Sequence, residues 1–267
     1  MLRIEWITLY IALGALVGFM AGLLGAGGGG ILVPLLTSMF TYQGMSTDNV
    51  VHVAVGTSLT CMIISSAASA RAHASRGNVE WPIVRGMAPG IILGAFLITQ
   101  GAANLESAFI SLFFALFMAL IAAQMFFVWH PKPSRKPPTL RGLISVGFGI
   151  GSVSALAAVG GGFLTVAYLG YKNVSMKSAV GTASAIGFAI AIAGTVGYVI
   201  SGWSRTLSDP YTLGFIYLPA FVAISLTSSV VAPYGARCSH GLSEKFLKRI
   251  FALIALLLSI KMLMSFH

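Results

Sequence analysis

Charged side chains are scarce in this chain of 267 residues: Asp, Glu, Lys and Arg make up 8% of it, while 57% is hydrophobic. Because a soluble domain carries about a quarter charged residues, the composition excludes one and indicates an integral membrane protein. Carboxylates are scarcest, and none lies in the middle of a predicted apolar span. They are Glu5, Asp48, Glu80, Glu106, Asp209 and Glu244. A buried proton relay and a metal-cation site both need intramembrane carboxylates, so neither is expected.

Other absences narrow the function further. No glycine loop is followed by Lys-Ser or Lys-Thr, so ATP-driven transport by this chain alone is not expected. Cys61 and Cys238 are interpreted as packing or incidental residues rather than a disulfide. Convergent acid–base residues are missing, so an enzyme and a bound cofactor are not expected. The net charge of +10 comes from basic residues in short loops, which favours membrane orientation over nucleic-acid binding.

Long apolar runs dominate the chain and predict an all-α polytopic membrane protein. The predicted helices cover 6–24, 31–40, 50–70, 82–99, 105–128, 142–158, 163–170, 178–200, 213–232 and 246–266. A full crossing needs about 20 apolar residues. The segments 31–40 and 163–170 are shorter, so each is predicted to be a half-helix of a re-entrant or strongly tilted hairpin.

Glycine runs interrupt two of the apolar stretches, at 25–30 and at 160–162. In lipid, an unpaired backbone group costs several kcal/mol, so each run must be buried in protein or line a wet cavity. Two such breaks, one in each half of a chain, are typical of a transporter's binding site. Free backbone N–H groups at the start of a half-helix form an anion site.

The two halves of the chain share motifs in the same order, which indicates a duplication. Residues 18–22 match 147–151, and the Ala-Val-Gly-Thr motif at 54–57 recurs at 179–182. Basic residues place the loop at 71–76, the linker and the loop at 233–249 in the cytoplasm. The halves, 1–128 and 142–267, are therefore predicted to be inverted-topology repeats. Each has a glycine-broken hairpin plus three transmembrane helices, the 129–141 linker is cytoplasmic, and both termini lie outside.

A substrate site is predicted between the two glycine breaks. Its candidate residues are the backbone donors Gly27, Gly28, Gly29, Gly30, Gly160, Gly161 and Gly162, the hydroxyls of Thr57, Ser58, Thr182 and Ser184, and the side chains of His52 and Lys177. The hydroxyls could instead bond only to the preceding helical turn. For the last two residues, an interfacial position facing the headgroups is the favoured alternative. Since the polar groups are donors, the inferred substrate is an anion.

Four stretches carry a resemblance to the sulfite exporter TauE/SafE family. They are GFMAGLLGAGGGGILVPLL at 18–36, AVGTSL at 54–59, AVGTAS at 179–184 and GARCSHGLSEKFLKRIFALIALLL at 235–258. The resemblance implies a bacterial inner-membrane permease linked to export of sulfite, sulfoacetate and other organosulfonates. The halves differ where Pro34 corresponds to Val166 and Ser58 to Ala183, so an asymmetric binding surface is expected.

The sequence thus predicts a secondary transporter or facilitator for a small oxyanion, with no metal and no nucleic acid as partner. Its partners would be the anionic substrate and the lipid bilayer, and both a monomer and a homodimer fit the sequence. An inside-negative potential of 100 mV favours outward movement of one negative charge by about 2.3 kcal/mol. The alternatives are an anion channel, an uptake permease for another small sulfur compound, and a membrane scaffold without transport.

Overall fold

The computed structural model describes residues 4–24, 29–127, 139–205, 211–239 and 244–264. These residues form helices and one very short strand pair. The helices are α1 (Ile4–Leu24), α2 (Gly29–Tyr42), α3 (Val50–Ala74), α4 (Trp81–Ala102), α5 (Ser107–Phe127), α6 (Leu140–Leu156), α7 (Gly162–Tyr171), α8 (Met176–Gly202), α9 (Leu218–Ser239) and α10 (Glu244–Met264). Because helices satisfy their own backbone in lipid, the prediction of an all-α architecture rests on a strong constraint, and it is confirmed.

Every predicted span is a helix, including the short segments α2 and α7, which have 14 and 10 residues. The predicted start of the ninth helix is wrong. Leu213 does not begin a helix, because it lies in strand β1 (Thr212–Leu213), which pairs antiparallel with β2 (Ile216–Tyr217). Gly214 turns the chain between the strands with a φ of 54°, a conformation that glycine adopts without a steric penalty. The next helix, α9, therefore begins only at Leu218.

Four of the described helices are long and apolar enough to cross a membrane: α3, α4, α5 within 107–124, and α8. The other helices contain shorter apolar stretches, of 10–17 residues, within the part of the chain that the structure describes. Large apolar side chains such as Leu93, Leu116 and Leu226 point outward, each more than half exposed. An outer surface of this kind suits contact with lipid chains and would be a liability in water.

Small residues let the helices pack backbone against backbone. A Cβ at Gly18 of α1 would lie 2.6 Å from the Cα atom of Ser228 in α9, and one at Gly151 of α6 would lie 2.5 Å from the Ile91 carbonyl oxygen in α4. Gly90, Gly94 and Gly147 make similar close approaches. The interpretation of these Gly-x-x-x-Gly pairs as packing motifs is confirmed, except at Gly22, whose surroundings lie outside the described residues.

Helices α3 and α8 carry the repeated Ala-Val-Gly-Thr motif and pack against each other in opposite directions. Leu59 of α3 lies near Gly194 of α8, because the Leu59 Cδ1 would be 3.0 Å from a Cβ placed on Gly194. Ser69, further along α3, lies near Ser184, which is earlier in α8, with 2.9 Å between the hydroxyl oxygens. Residue numbers rise along one helix as they fall along the other, so the two motifs lie at opposite ends of this antiparallel pair.

At one end of the pair, the first motif binds the segment that precedes α9. The backbone of Phe215 passes so close to Gly56 that a Cβ would collide with its carbonyl oxygen. The Thr57 hydroxyl oxygen accepts a hydrogen bond from the Tyr217 N–H at 3.0 Å. The Phe215 N–H donates to the Tyr198 carbonyl of α8 at 3.1 Å. We call this set of contacts the first interlock.

At the other end, the second motif binds the segment that precedes α4 in the same way. The Asn78 carbonyl oxygen occupies the space where a Cβ of Gly181 would lie. The Thr182 hydroxyl oxygen accepts from the Glu80 N–H at 3.0 Å, and the Asn78 N–H donates to the His73 carbonyl of α3 at 3.0 Å. In this second interlock, the second half of the chain caps the start of a helix in the first half, the reverse of the first interlock.

The interlocks predict a stability effect that depends on an acceptor oxygen rather than on size. Thr57→Val keeps the volume of the buried side chain but removes the partner of the Tyr217 N–H, which should cost about 1–2 kcal/mol. Thermal unfolding of purified protein in detergent should show Thr57→Val melting below Thr57→Ser, which loses a methyl group but keeps the oxygen. Thr182→Val and Thr182→Ser should show the same order. Valine variants that melt at or above their serine counterparts would contradict the capping role.

Candidate functional site

The glycine breaks of the two halves contact each other. Gly29 is the first residue of α2, and a Cβ there would collide with the Ala158 carbonyl oxygen. A Cβ on Gly30 would lie 3.2 Å from Cγ2 of Val159. Two other predicted site residues, Gly27 and Gly28, lie outside the described residues. The described part of the first break, Gly29 and Gly30, therefore lies directly against the second break.

The second break reverses the chain within a few residues. Helix α6 ends at Leu156, and Ala158 and Gly161 both have positive φ, at 47° and 61°. A non-glycine residue with positive φ is uncommon and marks local strain. Gly161 is the N-cap of α7, which begins at Gly162. The first N–H groups of a helix have no acceptor within that helix, so α7 presents its donors inside the fold, at the break.

The central helices α3 and α8 form the walls around the two breaks. The sulfur of Met62 would lie 3.3 Å from a Cβ on Gly29 and 3.1 Å from one on Gly160. On the opposite side, Gly187 leaves room for the Gly160 carbonyl oxygen, 2.6 Å from the position of its Cβ. Met62 is the thirteenth of 25 residues in α3 and Gly187 the twelfth of 27 in α8. The breaks therefore meet about halfway along both helices.

Many Ser and Thr hydroxyls in the helices of this protein bond to a carbonyl oxygen one turn earlier, as membrane helices commonly allow. Thr41, Thr60, Ser66, Thr99, Ser111, Ser184, Thr227 and Ser229 all do so. Ser58, Ser154 and Thr165 differ. Each is 0% exposed, and its hydroxyl has no partner among the described residues. Buried hydroxyls without a partner are costly and call for an explanation.

These unpaired hydroxyls lie around the breaks. Ser58 is one helical turn before Met62 and shares its face of α3. The Ser154 oxygen lies 3.7 Å from the position of a Cβ on Gly161, and Thr165 is in the first turn of α7. The sequence analysis included Ser58 but missed Ser154 and Thr165. No repeated motif marks these two hydroxyls, because Val33 corresponds to Thr165 and the interval opposite Ser154, residues 23–27, has only Leu, Gly and Ala.

The other predicted hydroxyls have partners elsewhere. The oxygens of Thr57 and Thr182 accept bonds in the two interlocks. Ser184 bonds to the Val180 carbonyl at 3.0 Å and lies 2.9 Å from the Ser69 hydroxyl. An oxygen that accepts a bond in an interlock can still donate its own proton. These three side chains nevertheless lie along the α3–α8 contact rather than against the glycine breaks.

His52 and Lys177 occupy equivalent positions in the two halves but lie at opposite ends of the α3–α8 pair. His52 is buried, its Nε2 lies 3.0 Å from the Ala102 carbonyl oxygen, and its ring stacks on Phe215 with 5.1 Å between centroids. Lys177 is exposed in the first turn of α8. The structure therefore does not bring either side chain to the point where the breaks meet.

The interior is polar without being charged. Among the described residues, the buried polar side chains are Ser and Thr hydroxyls together with His52, Cys61 and the phenols of Tyr10 and Tyr198, and none of them is an Asp, Glu, Lys or Arg. The meeting point of the breaks thus offers neutral O–H and N–H donors. Such a set can hydrogen-bond an anion without a permanent counter-ion.

Comparisons with known proteins agree with this description. The family model described as "Sulfite exporter TauE/SafE" matches residues 10–262. A "Probable membrane transporter protein" of Haemophilus influenzae is 32% identical to the chain, covering 97% of the chain and 99% of that protein. Similar proteins with the same description occur in Methanocaldococcus jannaschii, at 28% identity over 97% of the chain and 96% of that protein, and in Xylella fastidiosa, at 27% over 97% and 95%.

No solved structure matches the chain. The family model nevertheless covers nearly all of it, and the relatives in three organisms align over almost their whole length and are named as membrane transporters. Together with the apolar helices that contact one another through two glycine breaks, these matches identify the chain as a multi-pass membrane protein that belongs to the sulfite exporter TauE/SafE family of transporters.

Proposed function

We propose that this protein is a secondary transporter or facilitator that moves a small oxyanion outward across the bacterial inner membrane. Sulfite, sulfoacetate and related organosulfonates are the proposed substrates, in keeping with the family's description. The observation that carries the proposal is the contact between the two glycine breaks, halfway along α3 and α8. Broken helices in corresponding positions of two halves are where secondary transporters bind their substrates.

Neutral donors suit a substrate that must be released. An anion that leaves water has to recover several hydrogen bonds, and the breaks offer backbone N–H groups and the hydroxyls of Ser58, Ser154 and Thr165. A half-helix adds a dipole equivalent to about half a positive charge at its N-terminus. A fixed lysine in the same place would hold the anion more tightly and slow its release. The membrane potential then favours export, by about 2.3 kcal/mol per 100 mV.

The two interlocks support an inverted repeat and a mechanism by alternating access. They use the same residue types, lie at opposite ends of the α3–α8 pair, and each joins one half of the chain to the other. Equivalent helices that run in opposite directions are what an inverted repeat requires. We propose that rocking of one half against the other opens one interlock while the second stays closed, so that the central site faces one side at a time.

Transport by the purified protein in lipid vesicles tests the function. With sulfoacetate, methanesulfonate, sulfite and sulfate as probes, we expect saturable counterflow of at least one sulfonate or of sulfite, because a carrier exchanges substrate across a closed site. Conductance that does not saturate would identify an anion channel instead. No flux of any probe would contradict the proposal and leave a different solute or a scaffold. Counterflow that is confined to another sulfur compound would favour the uptake permease.

Two glycine variants provide a matched control for the position of the site within that assay. Gly161→Ala places a Cβ at a φ of 61° and 2.6 Å from Cδ1 of Ile190, so it should abolish counterflow. Gly44→Ala carries a similar backbone strain, with a φ of 80°, but meets nothing within 4 Å and lies in the loop before α3. It should transport normally. If both variants are folded and show equal counterflow, the substrate site lies elsewhere.

The proposed topology has its own test. Ser134→Cys, in the cytoplasmic linker, and Ser204→Cys, in the loop after α8, are made separately in a background with Cys61→Ala and Cys238→Ala. An impermeant maleimide added to intact spheroplasts should label position 204 and spare position 134, since the two are predicted to lie on opposite sides. Inside-out vesicles should give the reverse result. Labelling of both positions from one side would rule out the inverted arrangement.

A further inference from the structure

Ser154 and Thr165 are exceptions to the way this protein satisfies its hydroxyls. Several buried serines and threonines in the helices donate to a carbonyl one turn earlier, as Thr99 does to Ala95 at 2.9 Å and Ser111 to Ser107 at 2.9 Å. Thr37, Ser58 and Ser225 are buried without such a bond among the described residues, but they do not lie beside Gly161 in the chain. Ser154 and Thr165 are equally buried, at 0% exposed, but donate to nothing among the described residues. Since the usual partner is one helical turn away, an unpaired hydroxyl here indicates a group kept for another ligand.

The two hydroxyls lie on either side of the short connection between α6 and α7. Ser154 lies near the end of α6, Thr165 lies in the first turn of α7, and Gly161 connects them in a left-handed conformation. The Ser154 oxygen is 3.7 Å from the position of a Cβ on Gly161. The Thr165 N–H is already bonded to the Gly161 carbonyl at 2.8 Å, so the hydroxyl is the donor that this residue has left.

The N-terminus of α7 supplies further donors at the same place. Helix α7 has 10 residues, and its earliest N–H groups have no acceptor within the helix. Its dipole favours negative charge at this end. Two independent features therefore point to one kind of ligand: the start of a half-helix, and a fully buried serine hydroxyl directed at the glycine that caps it.

The first half of the chain lacks this pair of hydroxyls. Val33 corresponds to Thr165, by the alignment that matches residues 28–30 with 160–162, and Ser154 falls opposite the interval 23–27, which has only Leu, Gly and Ala. A binding surface that is two-fold symmetric would need equivalent hydroxyls in both halves of the chain. The side-chain donors at the end of the first helix and the start of the half-helix come from α6 and α7 only.

We propose, building on the proposed function, that Ser154 and Thr165 form a subsite that binds the oxyanion headgroup of the substrate together with the first N–H groups of α7. The subsite holds the headgroup by uncharged donors alone. It is built on the second half of the chain, so the headgroup binds asymmetrically, next to α6 and α7.

Substitutions that remove only the hydroxyl test the subsite in the full-length protein. Methanesulfonate is the probe, because it is little more than the headgroup. In Thr165→Val and Ser154→Ala, the concentration needed for half-maximal counterflow should rise about 10-fold to 100-fold, the loss expected for a hydrogen bond to a charged group. The rise in melting temperature on adding methanesulfonate should shrink accordingly. Thr165→Ser keeps the hydroxyl and should retain most of the affinity.

The melting temperature without ligand separates a binding role from a structural one. An unpaired buried hydroxyl is itself unfavourable, so Thr165→Val and Ser154→Ala should melt at or above the wild type. The matched control is Thr99→Val, because Thr99 is equally buried but bonded to the Ala95 carbonyl. It should melt below the wild type while its half-maximal methanesulfonate concentration stays unchanged.

Two results would overturn the subsite while leaving the proposed function intact. One is a wild type that transports methanesulfonate together with Thr165→Val and Ser154→Ala variants that bind it equally well. The other is a pair of variants that melt lower and keep their affinity, which would make the hydroxyls structural. A wild type that transports none of the oxyanion probes would contradict the proposed function itself.

Discussion

Backbone that leaves a helix inside a membrane has no water to bond, and this constraint governs the whole arrangement. Helices α1 and α6 are followed by glycine breaks, and the described parts of both breaks lie against each other and against α3 and α8. Protein encloses this irregular backbone, which is the condition under which membranes tolerate it. Gly29 permits the approach because any side chain there would collide with the Ala158 carbonyl oxygen. The same contact encloses the start of α7, where the first N–H groups have no acceptor within the helix.

The interlocks explain how so few polar contacts can organise the two halves. In each, a glycine lets an extended segment approach α3 or α8, and the threonine that follows accepts the segment's N–H. Lipid gives helices no hydrophobic reason to associate, so close packing and hydrogen bonds between them carry more of the stability. One interlock lies at each end of the α3–α8 pair, so the middle of the pair is left for the glycine breaks. The first interlock holds the start of α9 and the second holds the start of α4.

Much of the fold follows from the sequence because run length and glycine content act locally. The apolar runs located every helix, and the short runs after the glycines located α2 and α7. Residues whose role depends on a distant contact were harder to interpret. Thr57 and Thr182 were predicted to line the site, but each oxygen accepts an N–H more than 100 residues away in sequence. Ser154 and Thr165 were missed because the first half has no hydroxyl in the corresponding stretches, where residues 23–27 are Leu, Gly and Ala and Val33 stands for Thr165. Leu213 was assigned to a helix because an apolar hairpin and an apolar helix start have similar composition.

The central claim is that the substrate binds where the two glycine breaks meet, and locating a bound sulfonate tests it most directly. A crystal grown with 2-bromoethanesulfonate would mark the ligand by the anomalous signal of its bromine. The account predicts a peak between Gly29 and Gly161, with sulfonate oxygens about 3 Å from the Ser154 and Thr165 hydroxyls. A peak beside His52 or Lys177 instead, with nothing between the breaks, would contradict it.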